Sequence, residues 1–402
     1  MSDSSASRAA AAGGIILMTL AAGQFVMALD TTVMNTAIAT VADDLGTTVT
    51  GIQTAITMYT LVMASFMITG GKIGEIVGRK KVFAIGCIIY ACGSLTTALA
   101  PNLTVLMIGW SGLEGLGAVL IMPAIVALVA SNFDKPERPR AYGLVAAAGA
   151  IAAALGPLIG GLFTTYASWR YVFAGEVIIV LGILLLTRKM ADTPAEEGVK
   201  LDLVGTLLSA TGLGLFVLGI LKSGSWGFVQ PKPGAPEWLG LSPVIWMVLA
   251  GGVAIAAFIA WENRRISRGE GALFDPTLLK NIQLRGGVMS FFFMFMVQAG
   301  LFFCVPLFLS IALGLSAIET GVRLLPLSLS LLVFAAGIPK LLPDVSPRKV
   351  VRFGFMSLFA GLVLLVGLLE VGSGPEIITW PLLLAGAGLG AMASQLGSVT
   401  VS

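Results

Sequence analysis

Residues 71–81 read GKIGEIVGRKK. Glycines at 71, 74 and 78 permit a tight turn and a close approach between helices. Glu75 can pair with nearby cations. Arg79 and Lys80 are also placed to reach helix C-terminal carbonyls. The string lies between two long apolar runs. Taken alone, it reads as a basic loop of the kind that sets membrane orientation.

The rest of the chain fits that reading. It has 402 residues, 57% hydrophobic and 11% charged, against roughly 25% charged in a soluble domain. Twelve apolar stretches are each long enough to span a bilayer. Their limits are 14–41, 52–73, 82–100, 103–130, 140–165, 169–187, 203–221, 242–262, 286–313, 319–340, 349–370 and 378–402. Long unalternating runs favour helices over barrel strands. The first run exceeds a signal-peptide core and reads as a retained span.

The charges support the count. With the N-terminus cytoplasmic, alternate loops collect the Lys and Arg. Of 24 basic residues, only Arg170, Lys222 and Lys232 fall in outside loops, and Arg323 lies within a span. One missed helix would invert every later loop. A net charge of +3 gives no reason to expect a nucleic-acid partner. Histidine is absent, so proton chemistry falls to carboxylates. The three cysteines lack metal or disulfide spacing and read as small buried hydrophobes.

The expected organisation is a six-helix bundle over 1–190, a linker and two extra helices over 191–265, and four helices over 266–402. The polar stretch RKMADTPAEEGVKLD (188–202) marks the linker. GRKKVFAIG after the second span echoes PRKVVRFG after the tenth, as in transporters built from repeats. The last residues remain apolar and helix-like, so two further spans are expected beyond Ser402.

Residues 71–81 resemble the loop G-x-L-A-D-x-x-G-R-K of the major facilitator superfamily, with Glu75 in place of Asp. The resemblance implies an all-α integral membrane transporter fold, twelve of an expected fourteen helices being present. It implies that Gly71, Glu75, Gly78, Arg79 and Lys80 form a latch for one conformation of an alternating-access cycle. LDTTVMNTAIATV (29–41) resembles the first-helix motif of fourteen-helix drug/proton antiporters. LGPLIGG (155–161) resembles their fifth-helix motif. On residues alone, Gly156, Gly160 and Gly161 permit helix contact and Pro157 a kink; antiport is what the resemblance adds. Two departures mark a variant subgroup. Ser111 and Glu114 stand where the family has Arg and Gln, and Glu176 stands where it has Asn.

Asp30, Glu114 and Glu176 therefore lie inside spans, where a charge costs at least ~2.5–3.5 kcal/mol and usually faces an interior. Met27, Asp30 and Met34 share a helical face, as do Trp110 and Glu114. By resemblance the first and fourth helices line a central cavity, with Met27, Met34, Trp110 and Met122 in its wall; Phe292 and Phe295 are further wall candidates. Desolvation disfavours a charged carboxylate, so proton binding competes with a cationic cargo. The alternative is purely structural: Asp30 bonding to Thr31 or Asn35, and Arg170 neutralising Glu176. Arg323 is the cationic candidate for the acids.

The expected function is proton-coupled efflux of amphiphilic or cationic small molecules. The driving force is the proton-motive force, with no cofactor and no metal. The chain is not expected to be an enzyme. A monomer in the plasma membrane is expected. The alternatives are the same fold carrying an endogenous lipid, siderophore or metabolite, and a non-transporting scaffold or receptor.

Overall fold

The computed structural model describes residues 2–191, 195, 200–342, 345–370 and 372–401. Some side chains within helices, Pro157 among them, and much of the linker expected over 188–202 lie outside the described residues. Among the described residues, twelve helices are long and apolar enough to cross a membrane. They are α1 (Ser2–Asp44), α2 (Val49–Val77), α3 (Arg79–Ala98), α4 (Leu103–Asn132), α5 (Arg138–Tyr166) and α6 (Arg170–Thr187). Then follow α7 (Leu203–Trp226), α8 (Pro243–Ser267), α9 (Ile282–Leu307), α10 (Ala317–Leu341), α11 (Pro347–Leu368) and α12 (Thr379–Val401). Each expected span overlaps one of these helices. In hydrocarbon a helix satisfies its own backbone groups, which a lone strand cannot do.

Polar residues between the apolar runs set the ends. Thr48, Asn102, Asp202, Ser242 and Asn281 accept backbone N–H groups at the starts of α2, α4, α7, α8 and α9. Ser316 and Glu319 form a reciprocal capping box at α10. Gly78 separates α2 from α3 at φ +103°, a conformation that disfavours any side chain.

Contacts divide the chain into two units that do not follow chain order. The first comprises Met1–Thr40, Ile125–Ala191 and Leu279–Ser402, and thus α1, α5, α6 and α9–α12. Its core draws Leu301, Val305, Leu324, Leu331, Leu358, Leu382 and Met392 from α9–α12, with Ala147 from α5. Ser330 and Ser357 each donate a 2.7 Å hydrogen bond to a carbonyl of α12, Leu383 and Leu384. Large apolar side chains, including Met289, Phe292 and Phe295 on α9 and Val363 and Val366 on α11, remain exposed. Water would penalise such faces; lipid does not.

The second unit comprises Val41–Ala124 and Asp192–Leu278. Small residues bring its helices together, as expected where lipid supplies no hydrophobic drive between them. Gly86 and Gly117 join α3 to α4, and Gly212 and Gly251 join α7 to α8. Tyr59 on α2 stacks on Trp110 of α4 at 5.0 Å. The eight residues Met107–Glu114 of α4 form a π-helix, which the sequence reading did not anticipate. Wider turns of this kind are frequent at functional sites. Of the cysteines, Cys87 is buried as expected, whereas Cys92 and Cys304 are exposed. On spanning helices, exposed thiols are compatible with lipid contact.

A methyl group on Gly251 would lie 2.8 Å from the Gly212 carbonyl oxygen and 2.7 Å from the Phe216 amide nitrogen, whereas one on Gly252 meets nothing within 4 Å. Gly251→Ala is expected to cost about 1–3 kcal/mol through overpacking. Gly252→Ala is expected to be neutral or stabilising by about 0.5–1 kcal/mol. Thermal unfolding of the two detergent-solubilised variants checks the contrast.

Candidate functional site

In the first unit, α1 carries Met27, Asp30 and Met34, all buried. Leu29 and Val33 pack with Ala152 of α5 and Val172 of α6. The approach of α1 to α5 depends on Gly156, where any side chain would strike Thr32. Gly156 of the LGPLIGG string thus makes the helix contact expected of it, and Gly160 and Gly161 are buried on the same helix. In the second helical turn of α6 comes Glu176.

Asp30 and Glu176 are 0% and 1% exposed, and each offers a carboxylate oxygen within 4.8 Å of the other's. Two carboxylates this close, removed from water, cannot both be charged without large cost. A proton or a cationic group on one of them relieves that cost. The neighbours proposed for Asp30 are spent elsewhere: Thr31 donates to the Met27 carbonyl at 3.0 Å and Asn35 to the Thr31 carbonyl at 2.7 Å. Arg170 lies over the Trp169 ring, 4.6 Å from its centroid.

In the second unit, Glu114 closes the π-helix of α4 and is fully buried. The Thr97 hydroxyl lies 3.0 Å from Glu114 Oε1 and 2.9 Å from the Gly93 carbonyl oxygen. A hydroxyl has one proton to give, so its donation to Glu114 competes with donation to α3's own backbone. Ser111 donates to the Ala55 carbonyl of α2 at 2.7 Å. That bond fixes the π-segment against α2. Trp110 is packed on Tyr59, and Met122 is half-buried. The sequence reading missed Thr97; its only signal was a hydroxyl deep in an apolar run.

The GKIGEIVGRKK segment is built around Glu75. Lys72 Nζ lies 2.7 Å from Oε2, and Arg79 Nη2 lies 3.1 Å from Oε1. Arg79 Nη1 also donates to the Gly71 carbonyl at 2.8 Å. Glu75 thus ties the end of α2 to the start of α3 across Gly78. Lys80 is half-buried.

Arg323 sits elsewhere, on α10 in the first unit. It lines a cleft of about 320 Å³ with Leu315, Ile318, Glu319, Val322, Pro326 and Thr379. Among the described residues it makes no ion pair. The walls are mainly apolar, with one guanidinium and one hydroxyl, and Glu319 is held in its capping box. Phe292 and Phe295 are on the exposed face of α9, 59% and 58% accessible.

With this geometry in view, the comparisons with known proteins are specific. The family model described as Major Facilitator Superfamily matches residues 20–402. The puromycin resistance protein pur8 of Streptomyces alboniger is 33% identical, over 88% of this chain and 67% of its own length. A probable actinorhodin transporter of Streptomyces coelicolor is 30% identical, over 93% of this chain and 64% of its own. The chain thus spans about two thirds of the length of these curated relatives. The fold resembles that of the proton:xylose symporter XylE, with a TM-score of 0.60 over 97% of this chain and 81% of that one, at 14% identity.

The Glu75 ion pairs are partly exposed, with Glu75 at 29% and Arg79 at 20% side-chain accessibility. Glu75→Gln is expected to lower stability by less than about 1 kcal/mol. Arg79→Ala is expected to lower it by more, because the Gly71 carbonyl also loses its donor. Denaturation of both variants in detergent, side by side, checks the order.

Proposed function

The chain belongs to the Major Facilitator Superfamily, and from that premise we propose that it is a secondary active exporter of amphiphilic, including cationic, drug-like molecules. The observation that carries this reading is the buried pair Asp30–Glu176. Relatives named for antibiotic resistance and transport support an efflux role. The energy source in this proposal is the proton-motive force. Asp30, Glu176 and Glu114 take up and release the protons, and the chain acts as a monomer in the plasma membrane with its N-terminus cytoplasmic. It is organised as six helices, a two-helix insert and the C-terminal helices, in the manner of the fourteen-helix branch.

The cycle follows from the chemistry. With the site open to the cytoplasm, an ionised carboxylate attracts a cationic, apolar cargo. Apolar and methionine side chains on its helix face, such as Met27 and Met34, tolerate varied shapes. After the site opens outward, a proton from the acidic side displaces the cargo. The protonated, uncharged site returns and releases its proton inward. The half-exposed ion pairs of Glu75 break and re-form as the latch of this cycle.

A second reading concerns cargo. The Arg323 cleft favours a molecule with an anionic group and an apolar body, such as an acidic metabolite or lipid. Arg323→Gln is then expected to raise the KM for an anionic amphiphile about tenfold and leave a cationic one unchanged. Equal KM values for wild type and variant with the anionic cargo refute this second reading alone.

For the main reading, the test is efflux by the protein in liposomes under an imposed proton gradient. Asp30→Asn with Glu176→Gln is expected to lower proton-driven efflux at least about tenfold, since no group at the pair then changes charge. Equilibrium exchange of an uncharged cargo, which needs neither net proton movement nor a carboxylate charge, is expected to persist. Proton-driven efflux by the double variant at the wild-type rate would overturn the mechanism.

A further inference from the structure

A second pair of buried acids lies far along the chain from these, in the second unit, and the proposed transport cycle makes no use of it. Asp202 precedes α7 and is 4% exposed; Glu262 lies in the penultimate turn of α8 and is 0% exposed. Asp202 Oδ1 accepts the Val204 amide at 3.1 Å, capping α7. Its Oδ2 accepts the indole N–H of Trp261 at 2.7 Å and lies 3.4 Å from Arg265 Nε. Glu262 Oε2 accepts the backbone amides of Leu273 at 2.8 Å and Phe274 at 3.4 Å. Among the described residues, its other oxygen, Oε1, is buried with no hydrogen-bond partner.

The direction of that oxygen is informative. A methyl group built on Gly205 would collide with both Glu262 Oε1 and Asp202 Oδ2. The two oxygens therefore flank the same bare face of Gly205. A buried carboxylate oxygen with no donor is costly, and facing a second carboxylate makes it more so. A metal ion does not suit the place. Arg265 already supplies the positive charge beside Asp202, and the surrounding N–H groups all point at the acids as donors. A proton resolves the conflict: on Glu262 Oε1 it turns an orphan acceptor into a donor aimed at Asp202.

We infer that Glu262 is held as a carboxylic acid that donates its proton to Asp202, and that this bridge clasps the loop after α8 to the start of α7. Glu262 then works through three contacts at once. Oε2 holds the loop through Leu273 and Phe274, and Oε1–H holds Asp202, which caps α7. Arg265 closes the other side, donating to the Gly271 carbonyl at 3.0 Å and pairing with Glu270 at 3.2 Å. The loop so held carries the chain out of this unit at Leu278. The connector into α9 thus leaves from a fixed point on the two-helix insert.

The test uses the full chain in lipid nanodiscs. Glu262→Gln keeps the geometry: its amide N–H donates to Asp202 and its carbonyl accepts the Leu273 amide. Its hydrogen–deuterium exchange over 271–274 is expected to stay within about threefold of wild type. In Glu262→Ala the same amides are expected to exchange at least about tenfold faster. The wild-type minus Glu262→Gln infrared difference spectrum is expected to show the carbonyl band of one protonated carboxylic acid. If Glu262→Gln exchanges as fast as Glu262→Ala, or removes no such band, Glu262 is ionised and the shared proton is refuted. That result leaves the Asp30–Glu176 mechanism standing, since no residue is common to the two.

Discussion

Hydrocarbon offers no hydrogen-bond partner, and the arrangement of this chain follows from that. Each helix must satisfy its own backbone, so the twelve spans are helical regardless of the propensities of the Val and Ile they contain. Helices must then attract one another without the drive that water supplies. They do so where side chains are smallest. Gly86 meets Gly117, Gly212 meets Gly251, and Gly156 admits Thr32. Hydroxyls near these seams turn toward carbonyls: Ser111 to Ala55, Ser330 to Leu383, Ser357 to Leu384. A polar group here is either bonded within the protein or costs several kcal/mol.

The same constraint makes buried acids informative, and the chain handles them in two ways. Asp30 and Glu176 sit beside an apolar cluster, Leu29, Val33, Ala152 and Val172. Such surroundings disfavour charge on both acids at once. Asp202 and Glu262 are instead surrounded by donors: two loop amides, the Val204 amide, an indole and a guanidinium. There the polar demand is met by permanent partners. Two acid pairs of similar burial thus have different surroundings.

Much of the fold was legible in the residues. Span number and approximate limits followed from run length and from the placement of Lys and Arg, since both depend on transfer free energies that are local to the sequence. That Glu75 could pair with nearby cations followed from their closeness in sequence, and the helix-contact role of Gly156 from its size. The burial of Asp30, Glu114 and Glu176 followed from the cost of exposing them to lipid. What was not legible depended on tertiary register. The π-helix of Met107–Glu114 changes which residues share a face, and no local pattern announces it. The Asx cap at Asp202 was readable as a helix start, but not that its second oxygen faces Glu262, sixty positions on. Charge alone offered Arg323 as a cationic candidate for the acids, and the cleft it lines on α10 had no local signal. Phe292 and Phe295, assigned to a cavity wall by type, are accessible side chains of α9, an exposure that cavity and lipid faces share.

Exposure separates contacts that can open from contacts that hold. An ion pair open to water exchanges its partner for solvent at little cost, commonly below about 1 kcal/mol. Glu75, at 29% side-chain accessibility, is such a group, and it joins α2 to α3 across a glycine whose φ of +103° already lies outside the helical region. Glu262, with no accessible surface, cannot leave Leu273 and Phe274 without stranding buried polar atoms, a loss of about 1–3 kcal/mol for each. The loop after α8 is therefore held by buried contacts, whereas the loop between α2 and α3 is held by contacts partly open to water.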